Sequence, residues 1–155
     1  MLITEHIRDF VCKETLVFWA GNIGYDGYCD MFRSAGLLIH EDRQHITIYL
    51  TDKYAAHLLR NLENGKHLSF LVASILSFES YQFKGLYLSS CQASQEDEKQ
   101  ISVYTEKILP TLNDLGLNHL FIYPFINGSK TAITISLLEI FEQTPKPGTG
   151  NAISI

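Results

Sequence analysis

The sequence is short of most features that announce a chemistry. It has three cysteines in 155 residues, Cys12, Cys29 and Cys91, widely spaced and without a CxxC pair. That argues against a zinc cluster or a disulfide framework and leaves reduced thiols as the reading. It has no run of lysine or arginine, and its formal net charge is −5. Phosphate backbones are bound by clustered cations, so a nucleic-acid partner is not expected. No apolar run reaches the ~18 residues that a membrane-spanning helix needs. Met1 to Phe10 carries Glu5, Arg8 and Asp9 among apolar residues, which is not the pattern of a signal peptide. A soluble, cytoplasmic protein without membrane contact is the expectation.

Catalytic motifs are equally scarce. None of the six histidines sits in an HExxH or similar metal spacing. His40 and His45 flank one polar turn and face each other across a hairpin, but two ligands without a third make a poor metal site. GxSxG, GxxxxGK and GxGxxG are all missing. The acidic run Glu96-Asp97-Glu98 is explained by helix-start electrostatics, since carboxylates complement the positive end of the helix dipole. A chain without nucleophile, metal set or acid–base pair needs a bound cofactor if it is to be an enzyme.

What is present is an ordinary globular balance, 46% hydrophobic and 19% charged residues, in a length that suits one domain over 1–155. Thr4 caps a short helix from Glu5 to about Cys12, with Ile7, Phe10 and Val11 on one stripe. Strands are expected over 14–23, 28–33, 36–40 and 45–50, where β-branched and aromatic residues concentrate. The first two are joined by Gly24-Tyr25-Asp26-Gly27, a tight-turn sequence. A helix then runs from Thr51 or Asp52 to about Asn64 and stops at Gly65. Strands follow over 67–73 and 77–92, the latter with Gly85 marking a bulge or a close approach. Ser94 and Asp97 cap a helix running to about Leu109, where Pro110 either kinks it or begins a second helix ending at Gly116. Strands at 117–123 and 131–143 bracket an Asn127-Gly128 turn, and 144–155 is an irregular tail. The class is mainly β with peripheral helices, and closing the sheet into a six-stranded antiparallel barrel would remove its unpaired edges.

Several short segments give this order of elements a specific look. They are Met31-Phe32-Arg33-Ser34-Ala35 after the first hairpin, a strand that ends at Thr51 and runs into a helix with Ala56-His57 and Asn61, Tyr81-Gln82-Phe83-Lys84-Gly85 in a long strand, and Phe141-Glu142-Gln143-Thr144-Pro145-Lys146-Pro147-Gly148 at the end. Together they resemble the FMN-binding split barrels of the pyridoxamine 5′-phosphate oxidase-like superfamily, over about residues 5 to 150. The resemblance implies a homodimer with FMN at the subunit interface. It implies flavin phosphate held by Arg33 and Ser34 and by Thr51 and Lys53, which agrees with guanidinium chemistry and with the amides of a helix start. Gln82 and Lys84 fall where relatives approach the flavin ring or its polyol. Trp19 and Tyr81 read as core or dimer contacts. Lys53-Tyr54-Ala55 stands where the oxidases proper carry a Ser-Arg-Lys cluster, and their C-terminal substrate-binding arginine has no counterpart. The implied function is therefore that of a divergent, short relative: an FMN-dependent oxidoreductase acting on an unknown small molecule. The alternative is a non-catalytic split barrel holding flavin, deazaflavin or haem.

Overall fold

A computed structural model describes residues 2–62, 65–118, 120 and 122–153. Helix α1 spans Glu5–Lys13, and the Thr4 hydroxyl accepts from the Ile7 amide at 3.3 Å, as its sequence predicts. Its buried face, Ile7, Phe10 and Val11, packs into the core. Strand β1 (Leu16–Ile23) alternates strictly. Leu16, Phe18, Ala20 and Asn22 turn inward, and Val17, Trp19, Gly21 and Ile23 turn outward. The Asp26-Gly27 turn forms as expected: Gly27 takes φ +81°, and the Asp26 carboxylate accepts from the Tyr28 amide.

Strands β2 (Cys29–Ser34), β3 (Gly36–Ile39) and β4 (His45–Thr51) follow, then helix α2 (Asp52–Asn61), strands β5 (His67–Ser74) and β6 (Ser80–Gln92), helices α3 (Gln95–Asp114) and α4 (Tyr123–Ile126), and strand β7 (Lys130–Glu142). One antiparallel sheet has the order β2-β1-β5-β6-β7-β4-β3. It curls until β2 lies against β4, so the architecture is a mainly β half-barrel with a few helices. It has seven strands, not the expected six. The chain breaks at Ala35, between the strands expected over 28–33 and 36–40: β2 pairs with β1 at one edge, β3 pairs with β4 at the other, and the chain crosses the gap between. The Ser34 hydroxyl closes that gap by donating to the Tyr49 carbonyl at 2.8 Å, and it also reaches the Gly36 carbonyl at 3.0 Å.

Three local expectations are corrected. Helix α2 ends at Asn61 with Leu62 as its cap, short of Gly65; Glu63 and Asn64 lie outside the described residues. Helix α3 runs through Pro110 to Asp114, and Gly116, at φ +71°, follows its end. The strand expected over 117–123 is not seen among the described residues, and His119 and Phe121 lie outside them. Tyr123 opens α4 instead, because Pro124 has no amide for a ladder and suits a first helical turn. The tail is less irregular than its composition suggests: Ala152 bridges Phe141, and Ile153 packs on the core.

The Ser94–Asp97 capping box is present, and Asp97 also accepts from the buried Tyr49 phenol at 2.7 Å. Burial and the neighbouring carboxylate both push that phenol's pKa up. Lys130, itself buried, pairs with Glu98 at 3.2 Å, so α3 is tied to the sheet twice. No helix among the described residues is long and apolar enough to cross a membrane.

Candidate ligand-binding cleft

The outward face of β2, β1, β5 and β6 carries a cleft of about 590 Å³, inside the ~300–1,000 Å³ range of small-molecule sites. Strand alternation builds it, because every second residue of four neighbouring strands points the same way. Two rows of side chains cross the strands. One runs Arg33, Trp19, Leu71, Gln82, Phe141. The next runs Met31, Gly21, Ser69, Lys84, Glu139. The lining is mostly apolar, with polar groups from Ser69, Ser80, Gln82, Lys84 and Gln143 on the β5–β6 side.

These polar groups are connected. The Gln143 amide donates to Gln82 Oε1 at 3.1 Å, and Gln82 Nε2 donates to Ser69 Oγ at 2.8 Å. The Lys84 ammonium lies 4.5 Å from the centre of the Phe141 ring, a cation–π contact. At the other end of the first row, the Arg33 guanidinium stands 5.4 Å from the centre of the Trp19 ring. Burial lowers its pKa from the usual arginine value, and no carboxylate among the described residues pairs with it.

The sequence-predicted residues therefore divide. Gln82 and Lys84 line the cleft, and Arg33 flanks it across Trp19. Ser34 turns inward to the barrel seam. Thr51 and Lys53 sit at the junction of β4 and α2. Thr51 is buried and makes no side-chain cap bond, and Lys53 is exposed. The Asp52 carboxylate beside them accepts from the Ser129 and Thr131 hydroxyls, which keep its pKa below the ordinary carboxylate range. Phe32 and Tyr54, the chain neighbours of Arg33 and Lys53, pack with ring centres 5.6 Å apart on the core side of the sheet. Trp19 faces outward beside the cleft, whereas Tyr81 is buried.

Met31, Ser69, Leu71 and Gln143 also line the cleft. Met31 and Gln143 lie within the family-like segments but are not among the site residues the resemblance implies, and Ser69 and Leu71 lie in no such segment. Their signal is the period-two pattern itself, which becomes a surface only once the strand order is known. His57 and Asn61 have a different task. Asn61 donates to Asp30 at 2.7 Å and to Asn22 at 3.2 Å, His57 lies 3.0 Å from Asp30, and Asn22 donates to the Leu58 carbonyl. This network clamps α2 to β1 and β2. No cluster of His, Cys, Asp or Glu among the described residues is arranged to hold a metal.

No protein-family model matches the chain, and no curated protein matches it in sequence. Solved structures do match it in fold. HupZ from Group A Streptococcus aligns over 98% of this chain and 100% of its own, at 11% identity and a TM-score of 0.58. A protein of the pyridoxinephosphate oxidase family from Clostridium acetobutylicum, related to general stress protein 26, aligns over 97% and 92%, at 10% identity and a TM-score of 0.58. An FMN-binding protein from Syntrophomonas wolfei aligns over 87% and 82%, at 13% identity and a TM-score of 0.53. The chain has the split-barrel fold of the pyridoxamine 5′-phosphate oxidase-like proteins. At these identities the fold is what is shared.

Proposed function

We propose that this protein binds FMN in the cleft and acts as a flavin-dependent oxidoreductase on a small molecule. The observation that carries the reading is an apolar cleft of suitable volume beside two polar groups with bonding capacity unused among the described residues. Arg33 has no carboxylate, and the Ser69 proton has no acceptor among the described residues. That donor set fits a planar ring bearing carbonyl oxygens and an anionic tail. Trp19, Leu71 and Met31 would offer the apolar wall. Ser69, Gln82 and Lys84 would address the ring or its polyol. Arg33 would hold the phosphate, with Thr51 and Lys53 as the family resemblance implies. Bound flavin supplies the hydride and electron transfer, and the protein's share is to bind, orient and shield.

A homodimer is part of the proposal. Ile23 is 69% and Met31 63% exposed on this outward face, and a second copy laid against it would cover both and wall the cleft. Sedimentation should give twice the chain mass, and Met31→Lys should shift it toward the monomer.

The experiment is a visible absorption spectrum of purified protein after FMN is added and unbound dye is removed by filtration. Retained flavin absorption supports the reading, and a colourless protein that passes all FMN overturns it. A second reading, a non-catalytic haem-binding split barrel, is favoured by one observation. His67, Met31 and Cys29 line the same cleft, and these side-chain types ligate haem iron. Haemin in place of FMN tests it: a Soret shift that His67→Ala removes would favour haem.

A further inference from the structure

We propose that Ser69 is the specificity-determining hydrogen-bond donor of the cleft, aimed by Gln82 and Gln143 at an acceptor oxygen on the ring of the bound ligand. This rests on the flavin reading above. A serine hydroxyl has one proton to give and two lone pairs to accept with. Gln82 Nε2 occupies one lone pair at 2.8 Å, and Gln82 Oε1 is in turn engaged by Gln143 at 3.1 Å. The chain of bonds thus runs one way, from β7's end through β6 to β5. It leaves the Ser69 proton at its terminus with no acceptor among the described residues.

The surroundings fit a ligand oxygen. Ser69 pairs across the strands with Lys84 on one side and Gly21 on the other. Lys84 is in no ion pair among the described residues and rests only on Phe141. Gly21 lines the cleft without a side chain, so the floor is low beside Ser69. A Cβ there would also stand 3.0 Å from the Asp30 carbonyl, which keeps the position small. The ligand group recognised is a carbonyl or oxyanion, not a donor, because a donor would meet a proton and an ammonium. On a flavin ring such an oxygen gains electron density on reduction, so the Ser69 bond strengthens in the reduced form.

The test measures FMN affinity and the midpoint potential of bound FMN in the wild-type protein and in Ser69→Ala, Ser69→Thr and Gln82→Glu. Ser69→Ala is expected to weaken binding about tenfold, in keeping with a lost hydrogen bond of ~1.4 kcal/mol. It is expected to weaken the reduced form a further tenfold, which lowers the two-electron potential by ~30 mV. Ser69→Thr keeps the hydroxyl and should restore both. Gln82→Glu turns the Ser69 proton toward the new carboxylate and should reproduce the alanine variant. If the wild-type protein binds no FMN, the flavin reading fails first. If it binds FMN and Ser69→Ala changes neither affinity nor potential, Ser69 is not the donor and this inference alone is overturned. It is overturned equally if the amide chain runs in reverse, with Ser69 donating to Gln82.

Discussion

The Ser34 hydroxyl donates to the Tyr49 carbonyl across the seam of the barrel, at 2.8 Å and out of reach of water. Where the curled sheet closes, this bond and the one from the Ala35 amide to the same carbonyl do for β2 and β4 what a ladder does elsewhere. Ser34→Ala would remove one of two donors to that carbonyl, which keeps the Ala35 amide at 2.8 Å, a loss of about 0.5–1.5 kcal/mol. Urea denaturation should show the stability falling by that amount, with FMN affinity of the folded protein unchanged.

Arg33 is the cation best placed for an anionic tail, since it has an aromatic neighbour and no carboxylate partner among the described residues. A charge-assisted bond to phosphate is worth ~1.5–3 kcal/mol, roughly ten- to a hundredfold in affinity. Calorimetry of Arg33→Ala should show that loss for FMN and little change for riboflavin, which has no phosphate. Equal losses for both would place Arg33 outside the phosphate site.

Gly85 lies at a register shift of the β6–β7 ladder, where a Cβ would come within 2.4 Å of the Ser136 carbonyl and 2.5 Å of an Ile135 methyl. Neither backbone nor core side chain can step aside there. Overpacking of this kind costs about 1–3 kcal/mol, so Gly85→Ala should lower the thermal midpoint by several degrees. A neutral result would mean that the bulge can re-register.

The Asp42 carboxylate accepts from the Gln44 amide and from His45, which push its pKa down to about 2 from an ordinary 3.8. Its folded value lies below its unfolded one. Its contribution to stability is therefore complete above about pH 4 and is lost as the pH falls through about 2. The stability of the wild-type protein should depend more steeply on pH across that range than that of Asp42→Asn. Parallel curves would show that the turn does not hold this charge.

Much of the scaffold is legible in the sequence, because local chemistry decides it. Asp26-Gly27, the Ser94–Asp97 box and Gly85 each impose one backbone solution on the residues beside them. The segment 117–126 is not, because its apolar residues suit strand and helix alike, and Pro124 is the deciding residue. The cleft is half legible. Gln82 and Lys84 are picked out by family likeness, and Arg33 by its place after the hairpin. Ser69 and Gln143 are joined to Gln82 only through strand neighbours distant in sequence, and no local pattern contains that. Ser34 is the opposite case, a residue named for the site whose hydroxyl is engaged in the seam. A hydroxyl beside a candidate phosphate cation reads as a ligand until its burial is known.

The β4–β7 ladder pairs His45 with Ser136 and Thr51 with Lys130. On a ribosome, β4 emerges beside β3 long before its other neighbour exists. Until β7 arrives, the flank of β4 is an unsatisfied edge, and the apolar side chains Ile46, Ile48 and Leu50 stand beside it. Such distant pairings slow folding to the millisecond-to-second range, and an open strand edge invites a like strand from another chain. Nascent or truncated forms that lack the last strand should accordingly be the ones that chaperones retain and that aggregate.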